Sequence, residues 1–196
     1  MEQVLTKEES YSIHRLFSQV ISIFLSMKID FWCNGGTLLG AVRCGGMVLW
    51  DDDIDIAMNL RDRDILLSQD FQQRLSWLKM KLVQPSNLYY KIKHIDDNSE
   101  VFIDICLIDE EGYDLRKDKK KRKYNMEDEL YPLRAVQFSS IKHYVFIPYK
   151  AEEYLDRIFP DWRTTAHIYN HKDKKKHKYS IPLTDEINIP VKYYYR

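Results

Sequence analysis

The chain has 196 residues, of which 44% are hydrophobic, 13% aromatic and 31% charged, and its 30 basic and 30 acidic residues give a formal net charge of +0. This length predicts a single domain that can bury a core without stapling bonds, and the balanced charge excludes no class of partner and favours none. The three cysteines, Cys33, Cys44 and Cys106, form an odd and widely spaced set, which argues against a disulfide framework or a zinc site and favours a reducing compartment.

The chain does not open with a basic segment followed by an apolar one, as a secretory leader would. Its longest apolar runs also fall far short of the roughly 20 residues that span a bilayer. We therefore expect a cytoplasmic protein with no membrane span.

The first predicted element is an amphipathic helix over residues 6–27, where apolar residues recur at three- and four-residue steps and Thr6 and Glu9 have capping-box spacing. A short strand at 29–33 and a glycine turn precede a helix over 38–43, for which Thr37 is the expected N-cap. Further helices are expected at 62–78, with a break near 68–70, and at 150–159, and strands at 54–58, 88–95, 101–108, 136–140 and 144–149. The mixture predicts an α/β (α+β) fold with helices flanking a mixed sheet.

The pattern weakens after Pro160, where the chain becomes basic and rich in tyrosine. We therefore expect one globular domain over residues 1–162 and a C-terminal tail over 163–196. Basic runs at 116–123 and 172–178 raise the possibility of nucleic-acid binding, but no recognition helix or aromatic RNA-binding pattern accompanies them. Solvated loops, or a field that steers an anionic ligand, are the favoured interpretation, and nucleic acid is an unlikely partner.

The run WDDDIDIAM, residues 50–58, crowds four carboxylates into an otherwise apolar stretch. In a strand Asp53 and Asp55 project from one face about 6.5 to 7 Å apart, while Ile54 faces the core. Asp104 stands alone in a nearly all-apolar strand. If the two strands are neighbours, Asp53, Asp55 and Asp104 meet around one or two hard divalent cations.

This acidic run has two other interpretations, a solvated turn and an EF-hand. A solvated acidic turn is the common reason for such a run, and Asp52 is expected to point away from the other acids. An EF-hand fails, because its sixth position should be Gly and is Ile56, and its twelfth should be Glu and is Asp62.

The glycine turn has two interpretations. Gly35, Gly36 and Thr37 form either an ordinary turn or a helix start whose backbone N–H groups can approach a phosphate. Arg43 follows about two helical turns later. It is either a further contact to the same anion or an ion-pair partner of one of the aspartates.

The run GGTLLGAVRCGGMVLWDDDIDIAM, residues 35–58, closely resembles the signature of the LicD/fukutin family of the nucleotidyltransferase superfamily. VFIDICLID, 101–109, resembles the family's second acidic strand, and LYPLRAVQFSSIKHYVFIPYKAEEYLDRIFPDW, 130–162, its C-terminal block. The chain departs from the family where Cys44 replaces a usual His and Leu49 a usual Pro. The segment after Trp162 also lacks the family's glycine- and proline-containing ending.

The resemblance implies a nucleotidyltransferase-type fold that transfers phosphocholine, glycerol phosphate or ribitol phosphate from a CDP-linked donor to a glycan or glycan precursor, releasing CMP. It implies that Asp53 and Asp55 bind Mg²⁺ or Mn²⁺, with Asp104 as third ligand or as base for the acceptor hydroxyl. It also implies that Gly35, Gly36 and Thr37 face the donor phosphates, with Arg43 as a further anion contact.

The alternative is a degenerate protein of this fold that binds nucleotide without turnover, which the departures at Cys44 and Leu49 suggest. The expected lack of an anchor separates the chain from membrane-anchored animal relatives and suits a bacterial or viral setting.

Lys91 and Lys93 alternate on the strand predicted over 88–95, and a solvated edge is favoured for them over a role in steering the donor phosphates. His167 and His171 have the spacing of a zinc pair on a helix, but no further ligands accompany them. We interpret both as surface histidines, with His171 as a weak active-site candidate.

Overall fold

A computed structural model describes residues 4–95, 101–115, 121–122, 124–138, 141, 144–169 and 178–191. Five α-helices are formed by these residues: α1 (Lys7–Ser26), α2 (Gly35–Arg43), α3 (Arg63–Leu67), α4 (Gln69–Trp77) and α5 (Ala151–Ile158). A single 3₁₀ turn, Leu60–Asp62, precedes α3, and a π-helical turn, Met126–Leu130, lies between the main sheet and α5.

Seven strands make up the main sheet: β1 (Phe31–Cys33), β2 (Ile54–Asn59), β3 (Met80–Ser86), β4 (Tyr89–His94), β5 (Ile103–Ile108), β6 (Tyr113–Asp114) and β7 (Lys121–Arg122). Five of them run in the order β1-β2-β5-β4-β3, while β6 pairs with β5 and β7. Strands β2 and β5 are parallel, and the other neighbours are antiparallel. The predicted α/β fold with a mixed sheet and helices is therefore confirmed.

The parallel pair exists because the chain crosses over through α3, α4 and the β3–β4 hairpin between β2 and β5. Parallel neighbours need such a long crossover, and they are usually buried on both faces. All six residues of β5 are buried, including Asp104. The sheet thus places a carboxylate in its central strand.

Helix α1 begins at the predicted capping box, in which Thr6 Oγ1 accepts from Glu9 N–H and the Glu9 carboxylate accepts from Thr6 N–H. Its apolar face packs on the sheet, and Phe24 meets Phe31 of β1 edge-to-face at 5.4 Å between ring centroids. The predicted break near 68–70 is also present, because Ser68 caps α4 by accepting from Phe71 N–H.

Two smaller hairpins complete the described chain. Strands β8 (Arg134–Gln137) and β9 (Tyr144–Ile147), which overlap the strands predicted at 136–140 and 144–149, pair with each other, and β10 (Thr165–Tyr169) pairs with β11 (Lys178–Pro182). Beyond β11, Val191 N–H donates to Met47 O at 2.7 Å. The described part of segment 163–196 therefore folds back onto the loop before the acidic run.

The sequence did not predict strand β3, which carries Lys81 and Pro85 and shows no sustained apolar alternation. Strand β3 forms because it pairs with β4 in a hairpin, and this pairing outweighs the weak local pattern. Among the helices of the described chain, none has the length and apolar character that a membrane crossing requires.

Candidate active site

The acidic residues of β2 and β5 meet because these two parallel strands are in register, with Asp55 directly opposite Asp104. The carboxylates of Asp51, Asp53, Asp55 and Asp104 line one cavity of about 340 Å³. The predicted acids Asp55 and Asp104 on these strands and Asp53 just before β2 therefore lie at one place, and Asp51, two residues earlier in the chain, joins them.

Helix α2 abuts this cavity at its N-terminus. Its N-cap is Asn34, and Thr37, the predicted N-cap, lies inside the first turn. The Thr37 hydroxyl instead accepts from Asp55 N–H at 2.8 Å, and Asn34 N–H donates to Asp55 O at 3.1 Å. The prediction of Thr37 as N-cap was wrong because its side chain joins the helix to β2.

Two glycines make room for the acids at this helix end. A Cβ atom at Gly35 would lie within 3.0 Å of the Asp55 carboxylate, and one at Gly36 would lie within 3.0 Å of the Asp51 carboxylate. Gly35 also has a φ of +53°, which L side chains rarely adopt. The positive end of the α2 dipole therefore lies beside two carboxylates, which favours their ionised form.

The acids repel one another. Burial, followed by the charges of Asp55, Asp104 and Asp52, raises the pKa of Asp53 to about 8, and Lys91 offsets part of this shift. Burial and the charges of Asp53, Asp55 and Asp52 raise the pKa of Asp51 well above its usual range. An additional positive charge would relieve this repulsion.

Carboxylate oxygens of Asp51, Asp52 and Asp53 all lie within 4.8 Å of one another. Hard divalent cations prefer such oxygen donors, so the donor set fits Mg²⁺ or Mn²⁺. This group differs from the predicted trio because it contains Asp51 and Asp52, while Asp55 and Asp104 line the cavity together with Asp51 and Asp53. Asp51, Asp52 and Asp53 are consecutive residues just before β2, where successive side chains do not yet point to opposite faces of the sheet.

Asp104 has two partners on the neighbouring strand β4. Tyr89 OH donates to Asp104 Oδ2 at 2.8 Å, and Lys91 Nζ lies 3.2 Å from Asp104 Oδ1. The solvated-edge interpretation was therefore wrong for Lys91, because β4 lies inside the sheet and Lys91 pairs with Asp104 across it. Lys93 is exposed, as a solvated residue would be, but it too lies on an inner strand and not at a sheet edge.

Arg43 packs between two tryptophans. Its Nη1 donates to Trp162 O at 3.1 Å, and its guanidinium carbon lies 4.8 Å from the centre of the Trp50 ring. Burial lowers its pKa, and it forms no ion pair with an aspartate among the described residues. Its Nε and Nη2 are buried with no hydrogen-bond partner in the described chain, and Arg43 contacts Trp50 and Trp162 of the cavity lining without lining the cavity itself.

The wall of the cavity that carries no acids is aromatic and was not predicted as part of the site. It contains Trp50, Phe159, Trp162 and His167. His167 lies in a strand, where its Nδ1 is 2.8 Å from Ser180 Oγ, and not on the helix that a zinc pair would need. His171, the weak candidate, lies outside the described residues.

Comparison with known proteins agrees with this arrangement. The family described as LicD/FKTN/FKRP, nucleotidyltransferase domain, matches residues 28–149, which include α2 and all the acids of the cavity. An uncharacterized protein of Rickettsia typhi, RT0683, is 28% identical over 94% of this chain and 64% of its own length.

Two relatives with functional names match shorter stretches. The lipopolysaccharide cholinephosphotransferase LicD of Haemophilus influenzae is 29% identical over 37% of this chain and 28% of its own length. The mouse ribitol 5-phosphate transferase FKRP is 37% identical over 22% of this chain and 9% of its own length. The chain thus spans 64% of the Rickettsia typhi protein and much smaller shares of these two enzymes.

Proposed function

The chain belongs to the LicD/FKTN/FKRP nucleotidyltransferase-domain family, and on this premise we propose that it transfers a phospho-alcohol from a CDP-linked donor to a glycan hydroxyl, releasing CMP. Phosphocholine, glycerol phosphate and ribitol phosphate are the candidate groups. The related LicD is a lipopolysaccharide cholinephosphotransferase and the related FKRP is a ribitol 5-phosphate transferase, which supports the first and the last of these.

One observation carries the proposal: Asp55 and Asp104 face each other on parallel strands and share a cavity with Asp51 and Asp53. Attack of a hydroxyl on a phosphoanhydride requires neutralised phosphates, an oriented nucleophile and a stabilised leaving group. The cavity gathers the groups that such a reaction uses.

In this proposal Asp51, Asp53 and Asp55 bind Mg²⁺ or Mn²⁺. Asp104 is either a further ligand of the ion or the base for the acceptor hydroxyl. When bound, the divalent ion would neutralise charge on the donor phosphates and orient them. Asp51 is added to the predicted set because its carboxylate oxygen lies within 4.8 Å of one of Asp53 and because Asp51 lines the same cavity.

The α2 end and Arg43 are proposed to bind the donor anion. Gly35, Gly36 and Thr37 place backbone N–H groups of α2 beside the cavity, where the helix dipole favours negative charge. Arg43 offers Nε and Nη2, which are buried and lack hydrogen-bond partners in the described chain. Because Trp162 O fixes Nη1 at 3.1 Å, the guanidinium is oriented before any ligand arrives.

The proposal is tested by measuring CMP release from CDP-choline, CDP-glycerol and CDP-ribitol, with Mg²⁺ and with EDTA, in the wild type and in Asp55→Asn. We expect release from at least one donor, its loss in EDTA, and a decrease of about 10²-fold or more in Asp55→Asn, because electrostatic stabilisation of this kind is typically worth several kcal/mol.

The matched control is Asp64→Asn, an exposed aspartate in α3 whose loss should leave the rate unchanged. Thermal unfolding of each variant shows whether a loss of CMP release is accompanied by a loss of folding. Donor binding without CMP release in the wild type would instead support the degenerate, non-catalytic alternative.

A further inference from the structure

The N-cap residue of α2 has a side chain that does not cap the helix. Asn34 has the extended backbone of an N-cap, with φ −130° and ψ 166°. Asparagine is among the preferred residues at this position, because its side-chain oxygen can accept from the second or third N–H group of the helix. In α2 these N–H groups belong to Gly36 and Thr37. Asn34 makes no such side-chain hydrogen bond, so its oxygen serves another purpose.

The side-chain oxygen of Asn34 is bound by a tyrosine that lies 90 residues later in the chain. Tyr124 OH donates to Asn34 Oδ1 at 3.0 Å, and Tyr154 OH donates to the same oxygen over a longer distance, 3.5 Å. Asn34 is 0% exposed and Tyr124 is 1% exposed, so water cannot replace this bond. The oxygen is therefore held in the core and not at the first turn of α2.

The ring of Tyr124 is fixed by aromatic packing as well as by this bond. It stacks on Tyr154 with 4.7 Å between the ring centroids, and it meets Trp32 edge-to-face at 5.7 Å. Burial raises the pKa of Tyr124 well above its usual range, so the hydroxyl keeps its proton and donates. The packing therefore keeps a protonated donor beside Asn34.

The first turn of α2 borders the cavity that contains the acids, since Gly36 is part of the cavity lining. N–H groups at the start of a helix favour phosphate oxygens, because they carry the positive end of the helix dipole. A capping oxygen would accept from one of these N–H groups and would repel a phosphate at the same place. Holding the Asn34 oxygen away from the helix end prevents this competition.

We propose that Tyr124 is a positioning residue, which holds the Asn34 side chain away from α2 and so keeps the N–H groups of Gly36 and Thr37 open to the donor phosphates. The inference rests on the proposed function for the ligand at this helix end. It adds a residue that lies outside the cavity lining and acts on donor binding through Asn34.

The test is the dissociation constant of CDP in the presence of Mg²⁺, measured by isothermal titration calorimetry. CDP carries the two phosphates of the proposed donor and has no alcohol to transfer. The variants are Tyr124→Phe, Tyr124→Phe combined with Asn34→Ala, and Asn34→Ser. The matched control is Tyr154→Phe, which removes a buried hydroxyl from the same stacked pair, but the one with the longer contact to Asn34.

In Tyr124→Phe the buried Asn34 oxygen loses its closer donor and should turn to the N–H groups of α2. We therefore expect CDP to bind about five- to tenfold more weakly, which is the size of a typical N-cap contribution. Adding Asn34→Ala removes the competing oxygen and should restore the affinity to within about twofold of the wild type. Tyr154→Phe should change the affinity by less than about twofold.

Asn34→Ser tests the same competition with Tyr124 intact. The serine side chain is one bond shorter than that of Asn34 and is a preferred N-cap, so it should cap α2 and weaken CDP binding. A folded Tyr124→Phe or Asn34→Ser variant that binds CDP as the wild type does would overturn the inference. So would a double variant that binds CDP as weakly as Tyr124→Phe, because this result would indicate a general loosening of the site.

CDP binding and CMP release fail independently. A wild type that shows the expected order of CDP affinities but releases no CMP from any donor would contradict the proposed function and leave the role of Tyr124 supported. A wild type that releases CMP, with equal CDP affinity in Tyr124→Phe, would do the opposite.

Discussion

Gly36 and Gly40 lie one helical turn apart in α2, but different atoms surround them. A Cβ at Gly36 would meet the Asp51 carboxylate, which is the end of a side chain that can rotate. A Cβ at Gly40 would meet the carbonyl oxygen of Gly46, which belongs to the backbone and cannot move without the loop. Gly36 is therefore required for the position of Asp51 in the site, and Gly40 is required for the packing of α2 against the loop at Gly46.

We predict that Gly36→Ala changes the midpoint of thermal unfolding little and weakens Mn²⁺ binding about tenfold, because Asp51 must rotate away from the other acids. Gly40→Ala should instead destabilise the fold by about 1 to 3 kcal/mol, as overpacking typically does. Calorimetry of unfolding and Mn²⁺ titration of both variants check this. Equal effects of the two variants on either quantity would contradict it.

At the scale of elements, α1 covers the sheet with an apolar face that also buries His14, which is 1% exposed. Its Nδ1 lies 2.6 Å from Ser10 O. Burial lowers the pKa of His14 to about 4, since the protonated ring would lose its hydration. Attachment of α1 to the sheet therefore depends on a neutral imidazole.

The sign of the resulting pH effect follows from proton uptake. Between about pH 6.5 and pH 4 the unfolded chain binds a proton at His14 that the folded chain does not, so stability falls as pH falls through this range. We predict a loss of up to about 3 kcal/mol from this residue. In His14→Asn the free energy of unfolding, measured by urea titration at each pH, should depend less on pH. An acid slope as steep as that of the wild type would rule out His14 as its source.

At the scale of the whole molecule, the formal net charge of +0 hides a strong local imbalance, because the acids converge in one cavity. Bringing them together costs folding free energy, which the raised pKa of Asp53, to about 8, reflects. A ligand that binds only the folded chain offsets such a cost. Stability and metal binding should therefore be coupled.

We predict that Mn²⁺ at about 100 times its dissociation constant raises the free energy of unfolding by about 2.7 kcal/mol, and that EDTA removes this gain. Asp53→Asn should be more stable than the wild type in EDTA, because it removes a repelled charge, and should gain little from Mn²⁺. Differential scanning calorimetry at pH 8 compares the four conditions. An Asp53→Asn variant that gains as much from Mn²⁺ as the wild type would exclude Asp53 as a ligand.

The amino-acid sequence by itself determined what depends on neighbouring residues. Such local features are the capping box of α1, the break at Ser68, the single face shared by Asp53 and Asp55, and the lone acid Asp104 in an apolar strand. These local patterns predicted the fold class, and the family match to residues 28–149 agrees with the resemblance seen in its motifs.

Only the tertiary structure decided which distant groups meet those acids. The pairing of Lys91 with Asp104 depends on the register between β4 and β5, and a shift of one residue would turn Lys91 to the other face of the sheet. The contact between Arg43 and Trp162 joins residues 119 positions apart. Such contacts arise from the summed packing of the whole chain, which no short stretch of sequence encodes.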